Sequence, residues 1–125
     1  MDTVATILVI DDEEFIRSLV MRILKKNDYN VITAENGESG VSIFQENAEK
    51  IDLAIIDMTM EEMNGLEVLE KIRLTSPGLP GIISSGNSYD ENDVPEGLSK
   101  NLYFLQKPYR SQQLTDLVNS ILIPV

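Results

Sequence analysis

The chain has 125 residues, of which 42% are hydrophobic, and its formal net charge is −11 at pH 7. We expect residues 1–125 to form one globular domain, with no output domain attached. The acidity opposes direct binding to nucleic acid, and the absence of Cys and His excludes thiol chemistry, a histidine base and a histidine phosphocarrier within the chain.

The predicted elements alternate between strands and helices. Short apolar runs rich in β-branched residues predict buried strands, and apolar residues at helical spacing predict helices. In chain order we expect a strand at 6–10, a helix around 16–23, a strand at 29–34, a helix at 37–47, a strand at 53–56, a helix from 66 that Pro77 ends, a strand at 81–84, a short or mobile helix within 87–100, a strand at 103–106 and a helix around 114–121.

Five successive strand–helix units predict an α/β fold, in which a parallel sheet carries helices on both faces. Ligands of such sheets bind beyond the carboxyl ends of the strands. Asp11 and Asp12 follow the first predicted strand, Asp57 follows the third, and Lys107 follows the fifth. We therefore expect three carboxylates beside one amine, a combination that suits Mg²⁺ and phosphoryl transfer to a carboxylate.

Each of these residues also has a plainer interpretation. Asp12 could cap the first helix, with Glu13 and Glu14 complementing the helix dipole. Asp57 could be an ordinary acid at the end of a strand, and Lys107 a surface lysine before a turn. None of these residues decides the function alone, and the interpretation depends on the ordered set.

Two further features strengthen that set. Ser84 and Ser85 close the fourth predicted strand, where a hydroxyl can donate to a phosphoryl oxygen, although serines before turns are common. Pro108 directly after Lys107 is compatible with a cis peptide bond that would aim the lysine at the site.

The motifs in this order resemble the receiver domain of response regulators in two-component signalling, the CheY-like family, over essentially the whole chain. The matching segments are residues 7–13, 57–65, 84–86 and 107–108. Their spacing also fits, since Asp57 lies 46 positions after Asp11. The resemblance implies a flavodoxin-like (βα)5 fold with strand order 2-1-3-4-5.

The resemblance also implies the roles of the acidic residues. Asp57 would be the phosphoacceptor and would share the ligation of Mg²⁺, or Mn²⁺, with its neighbours. Asp12 would bind the cation directly, Asp11 mainly through water, and Thr59 through its backbone carbonyl. Lys107 would contact the phosphoryl group.

Two more residues match the switch positions of the family. Ser85, rather than Ser84, matches the switch hydroxyl, because it lies 22 positions before Lys107 and precedes a glycine. Phe104, rather than Tyr103, matches the switch aromatic. Phosphorylation would draw Ser85 inward, rotate Phe104 and alter the face formed by the fourth helix, the fifth strand and the fifth helix. The segment 87–100 is expected to change most.

The chain departs from the family pattern at Glu61, where proline is usual. We expect this change to loosen the loop after Asp57 and to add negative charge beside the cation. Thr59 and Asn87 occupy positions that influence the lifetime of the phosphoryl group in the family.

The resemblance implies protein partners. Because the chain has no histidine, the donor would be a separate histidine kinase or histidine phosphotransfer protein, and a downstream protein would bind the switch face. We expect a cytoplasmic monomer with no membrane partner, and leave dimerisation on phosphorylation open. The chain would catalyse its own phosphorylation and dephosphorylation without turning over a free substrate.

Alternatives remain open at this point. A haloacid-dehalogenase-type phosphatase needs a second Asp two residues after its nucleophile, where this chain has Thr59 after Asp57. A flavodoxin-like FMN carrier needs a phosphate loop rich in hydroxyls and glycine, where residues 11–14 are all acidic. A receiver that acts by docking alone also remains possible as an alternative. So does a receiver excised from a hybrid sensor kinase, because residues 104–109 resemble the same segment of receivers attached to such kinases.

Overall fold

The computed structural model describes residues 4–87 and 94–123 and confirms the α/β expectation. No helix in these two ranges is long and apolar enough to cross a membrane. The described elements are β1 (Thr6–Ile10), α1 (Glu14–Lys26), β2 (Asn30–Ala34), α2 (Gly37–Asn47), β3 (Ile51–Asp57), α3 (Gly65–Thr75), β4 (Gly81–Ser85), β5 (Leu102–Gln106) and α4 (Ser111–Leu122).

The five strands form one parallel sheet in the order β2-β1-β3-β4-β5, as predicted. The order reverses beside β1, because the chain passes from β1 to β2 on one side and then returns to place β3 on the other. This reversal opens a crevice at the carboxyl ends of β1 and β3. Asp11 and Asp57 stand at those ends.

The helices cover both faces of the sheet because successive residues of a strand point to opposite sides. Leu8 and Ile10 of β1 pack in one apolar cluster with Phe44 of α2 and with residues of α3. Ile7 and Val9 pack in the other cluster, with residues of α1 and α4. All five residues of β1 are buried, which explains why this strand reads as a continuous apolar run.

The short helix predicted within residues 87–100 stays a prediction, because the structure describes only part of that segment. Residues 94–100 form turns and bends, and residues 88–93 lie outside the described ranges. Leu98 N donates to Pro95 O at 3.1 Å, and Gly97 has a φ of +94°. A proline and a left-handed glycine two residues apart oppose helix formation at 95–97, and the helix that follows β5 is the fourth described one, α4.

A buried guanidinium anchors this segment to α3. Arg73 Nε donates to Leu79 O at 3.0 Å and Nη1 donates to Leu98 O at 2.9 Å. Its Nη2 donates to Lys100 O at 2.8 Å and to Asn101 O at 3.1 Å. Burial lowers the pKa of Arg73 from its ordinary value. The four carbonyls supply the acceptors that a buried guanidinium needs.

Candidate functional site

The structure brings the predicted acids and the lysine together at the carboxyl edge of the sheet. Asp11, Asp12 and Asp57 each offer a carboxylate oxygen, and these oxygens lie within 4.8 Å of one another. Lys107 Nζ lies 3.2 Å from Asp11 Oδ2 and 3.3 Å from Asp57 Oδ1. We call Asp11, Asp12 and Asp57 the acidic cluster. Its oxygen ligands suit a hard divalent cation such as Mg²⁺ or Mn²⁺.

The loop between β1 and α1 orients the first two acids. Asp11 is buried, and its Oδ1 accepts a hydrogen bond from Glu13 N at 2.9 Å. Arg17 Nη1 donates to the backbone carbonyl of Asp11 at 2.7 Å, a contact that sequence reasoning missed. Glu13 is the N-cap of α1 and makes no capping hydrogen bond with its side chain. The interpretation of Asp12 as a helix cap is therefore wrong, and Asp12 is exposed at the mouth of the site.

Burial and charge perturb the acceptor carboxylate and its partner. Burial, and then the Asp11 carboxylate, raise the pKa of Asp57 from 3.8 to about 6, against the opposing effect of Lys107. For Lys107, burial lowers the pKa, but Asp11 and Asp57 together outweigh it and leave the pKa above its ordinary value. The lysine is therefore an ammonium ion. Because three carboxylates lie near only one ammonium, the excess negative charge favours the binding of a further cation.

A close approach between backbones positions Asp57. Gly65 N donates to Met58 O at 2.9 Å, and Met58 N donates to Ser84 O at 2.8 Å. A Cβ atom at Gly65 would lie 2.8 Å from Asp57 O and 3.0 Å from Met58 Cα. Asn64 then caps α3, accepting from Glu67 N at 2.9 Å. Glycine at 65 thus lets α3 begin directly against the end of β3.

Gly65→Ala is expected to lower the free energy of unfolding by about 1–3 kcal/mol, because the new methyl group would overlap backbone atoms that cannot move independently. Gly78→Ala is the matched control, since a Cβ at Gly78 would meet nothing within 4 Å. Urea unfolding of both variants measures the difference. Equal midpoints and slopes for the two variants would contradict the close-approach role of Gly65.

The family model described as the response regulator receiver domain matches residues 7–119. The chain belongs to this family. The match runs from within β1 to within α4 and so includes every residue of the acidic cluster as well as Lys107.

Three similar proteins illustrate the range of receiver domains. Transcriptional regulatory protein GlrR of Escherichia coli K12 is 31% identical over 118 residues, which are 94% of this chain and 26% of GlrR. Chemotaxis protein CheY of Listeria monocytogenes is 31% identical over 112 residues, which are 88% of this chain and 92% of CheY. The solved structure of TrrA from Thermotoga maritima, in complex with Mg²⁺-BeF, has a TM-score of 0.82 and 30% identity, and the alignment covers 94% of this chain and 99% of TrrA.

The remaining predicted residues of this receiver domain lie around the acidic cluster. Thr59 N donates to Asp57 Oδ1 at 3.4 Å. Ser85 is buried, its Oγ accepts from Asn87 N at 3.1 Å, and its carbonyl accepts from Lys107 N at 2.7 Å. The Lys107–Pro108 peptide bond is cis.

The two predicted switch residues share one face of the receiver sheet. Phe104 pairs with Ile83 in the register of β4 and β5, and both pack in the cluster formed with α2 and α3. Ser85 lies two residues beyond Ile83 and therefore on the same face. Phe104 is half-buried, whereas Tyr103 packs with the opposite cluster.

Proposed function

We propose that this receiver domain accepts a phosphoryl group on Asp57 from the phosphohistidine of a histidine kinase or a histidine phosphotransfer protein. One observation carries the proposal: the buried Asp57 carboxylate lies 3.3 Å from Lys107 Nζ within a cluster of three acids. Phosphoryl transfer depends mainly on positioning and on neutralising charge, and this arrangement supplies both. The solved complex of TrrA with Mg²⁺-BeF supports the choice of cation.

An oxygen of Asp57 attacks the phosphorus atom, and the bond between phosphorus and the donor imidazole nitrogen breaks, leaving its electron pair on that nitrogen. Asp12, Asp57 and the Thr59 carbonyl would hold a divalent cation, with Asp11 acting through water, and the bound cation would supply positive charge near the phosphoryl oxygens. The Lys107 ammonium is already beside Asp57 and donates to a phosphoryl oxygen on the same side.

The product changes the partners of Lys107 and Ser85. Once Asp57 is an acyl phosphate, the negative charge moves outward from the carboxylate to the phosphoryl oxygens. Ser85 Oγ accepts from Asn87 N, and a hydroxyl can still donate its own hydrogen to a phosphoryl oxygen. Ser85 moves toward the phosphoryl group to make this bond and draws in the end of β4. Phe104, which lies on the same face of the sheet, then rotates into the space that Ser85 leaves.

Phosphorylation would alter the surface formed by residues 94–100, β5 and α4, where a downstream protein would bind. Phosphorylation would shift a pre-existing equilibrium between two arrangements of this surface. Residues 94–100 form turns and bends, so the partner would contact these turns as well as the edge strand β5.

Incubation with acetyl phosphate and Mg²⁺ is expected to add one phosphoryl group to the intact protein, as measured by mass spectrometry. The same incubation with EDTA should add none, because the three carboxylates then repel the incoming anion. Equal labelling with and without a divalent cation would contradict the proposed role of the acidic cluster. A protein that binds Mg²⁺ but is labelled neither by acetyl phosphate nor by a phosphorylated histidine donor would contradict the proposal as a whole.

A further inference from the structure

A hollow of about 360 Å³ lies beside Asp12 of the acidic cluster. It is lined by Asp12, Glu35, Asn36, Met60 and Glu61. Asp12 also belongs to the acidic cluster, so the hollow adjoins the candidate cation site. Glu35 and Glu61 are exposed carboxylates that the cluster itself does not include.

Sheet topology places Glu35 in this position. It directly follows β2, which is the neighbour of β1 in the sheet. Asp11 N donates to Ala34 O at 3.2 Å, which ties the end of β2 to the start of the acidic loop. Glu35 therefore leaves the sheet at the same edge as Asp11 and Asp12.

A tight turn in the loop after β3 places Glu61. Met63 N donates to Glu61 O at 2.7 Å, and Glu62 adopts a φ of +69°, a left-handed conformation that is uncommon for a residue with a side chain. The turn brings the Glu61 side chain back to the rim of the hollow that Asp12 also lines.

Glu35 and Glu61 lie outside the acidic cluster, which favours contact with the cation through water over direct ligation. Neither Glu35 nor Glu61 is among the carboxylates whose oxygens converge within 4.8 Å. Mg²⁺ keeps several of its waters when it binds to proteins, and those waters donate strong hydrogen bonds. Carboxylates in the outer shell of a metal site accept such bonds and raise the affinity of the site.

We propose that Glu35 and Glu61 are positioning residues that hold the water ligands of the divalent cation and thereby raise the affinity of this receiver domain for it. The inference rests on the cation site of the proposed function and adds two residues to it. Glu61 stands where a proline is usual in the family, so this part of the outer shell would distinguish this chain from receivers with the common residue.

Isothermal titration with MgCl₂ tests the proposal on the full chain. Glu35→Gln and Glu61→Gln are each expected to raise the Kd for Mg²⁺ by about tenfold, and the double variant by more. Glu61→Asp should recover part of the affinity, because it restores a carboxylate. Glu46→Gln is the control: it removes the same charge from an exposed residue about 14 Å along α2 from the start of that helix, at the end remote from the site.

The outcomes separate this proposal from the proposed function. Wild-type affinity in Glu35→Gln and Glu61→Gln would overturn the outer-shell role and leave the acidic cluster intact. Equal weakening by Glu46→Gln would also overturn it, because the effect would then follow net charge alone. If the parent protein and Asp12→Asn both fail to bind Mg²⁺, the cation site and the outer-shell role fall together.

Discussion

Metal-free Asp57→Asn protein is expected to be more stable than the parent at pH 7, by about 2–3 kcal/mol, and to take up no phosphoryl group from acetyl phosphate. The stability gain follows from the pKa of Asp57, which burial and the Asp11 carboxylate raise from 3.8 to about 6. Each unit of difference between the folded and unfolded pKa is worth about 1.4 kcal/mol. Asparagine has nearly the same shape and no charge, so it avoids the cost of burying an ionised carboxylate.

The size of the effect depends on pH. Between pH 3.8 and about 6 the folded state holds a proton on Asp57 that the unfolded state has lost. The stability of the parent therefore falls as the pH rises through this window, and the contribution from protonation is gone above it. The difference between Asp57→Asn and the parent should grow from pH 4 to 6 and then stay constant.

Urea unfolding in EDTA at a series of pH values measures this difference. Asp28→Asn is the control, because it makes the same chemical change at an exposed position where a φ of 67° suits asparagine. A gap between parent and Asp57→Asn that does not vary with pH would contradict the perturbed carboxylate. Labelling of Asp57→Asn at another residue would contradict the assignment of the phosphoacceptor.

Arg73→Met is expected to lower the free energy of unfolding by about 3–5 kcal/mol. The substitution preserves the apolar stem of the side chain but removes the donors to four carbonyls, those of Leu79, Leu98, Lys100 and Asn101. A buried acceptor that loses its partner costs about 1–3 kcal/mol, and water can reach some of these carbonyls once the segment loosens.

Two further variants distinguish the hydrogen bonds of Arg73 from its charge. Arg73→Lys keeps the charge but loses the planar fork, so its stability should lie between those of the parent and Arg73→Met. Lys71→Met removes a cation from an exposed position on the same helix and should change stability little. Urea unfolding gives all three values, and equal losses in Arg73→Met and Lys71→Met would contradict the anchoring role.

Much of the fold could be predicted because local patterns and tertiary environment agree. The predicted bounds of β1 and α2 match the structure, since the first is a continuous apolar run and the second begins after Asn36, which caps it through Ser39 N. The acidic cluster followed from topology alone, because acids at the carboxyl ends of neighbouring parallel strands must meet.

The features that could not be predicted depend on distances between segments far apart in sequence. The need for glycine at 65 arises from its approach to the Asp57 carbonyl, which no local pattern reveals. Arg73 did leave a signal, since it follows Leu66 and Leu69 at helical spacing on the buried stripe of α3. Its charge alone would favour a solvent-facing position, because a cation without a carboxylate partner is seldom buried. A helix was predicted within 87–100, and residues 94–100, which include Pro95 and Gly97, form turns and bends.

The anchoring of residues 98–101 by Arg73 has a consequence for how this region can vary among variants of the chain. Arg73 contacts main-chain oxygens, which every amino acid provides, and the side chains of Ser99 and Lys100 are exposed. Substitutions at 99 and 100 should therefore be tolerated widely. An insertion or deletion there would instead shift carbonyls away from a rigid fork. Selection on this stretch should thus preserve its number of residues much more strictly than their identity.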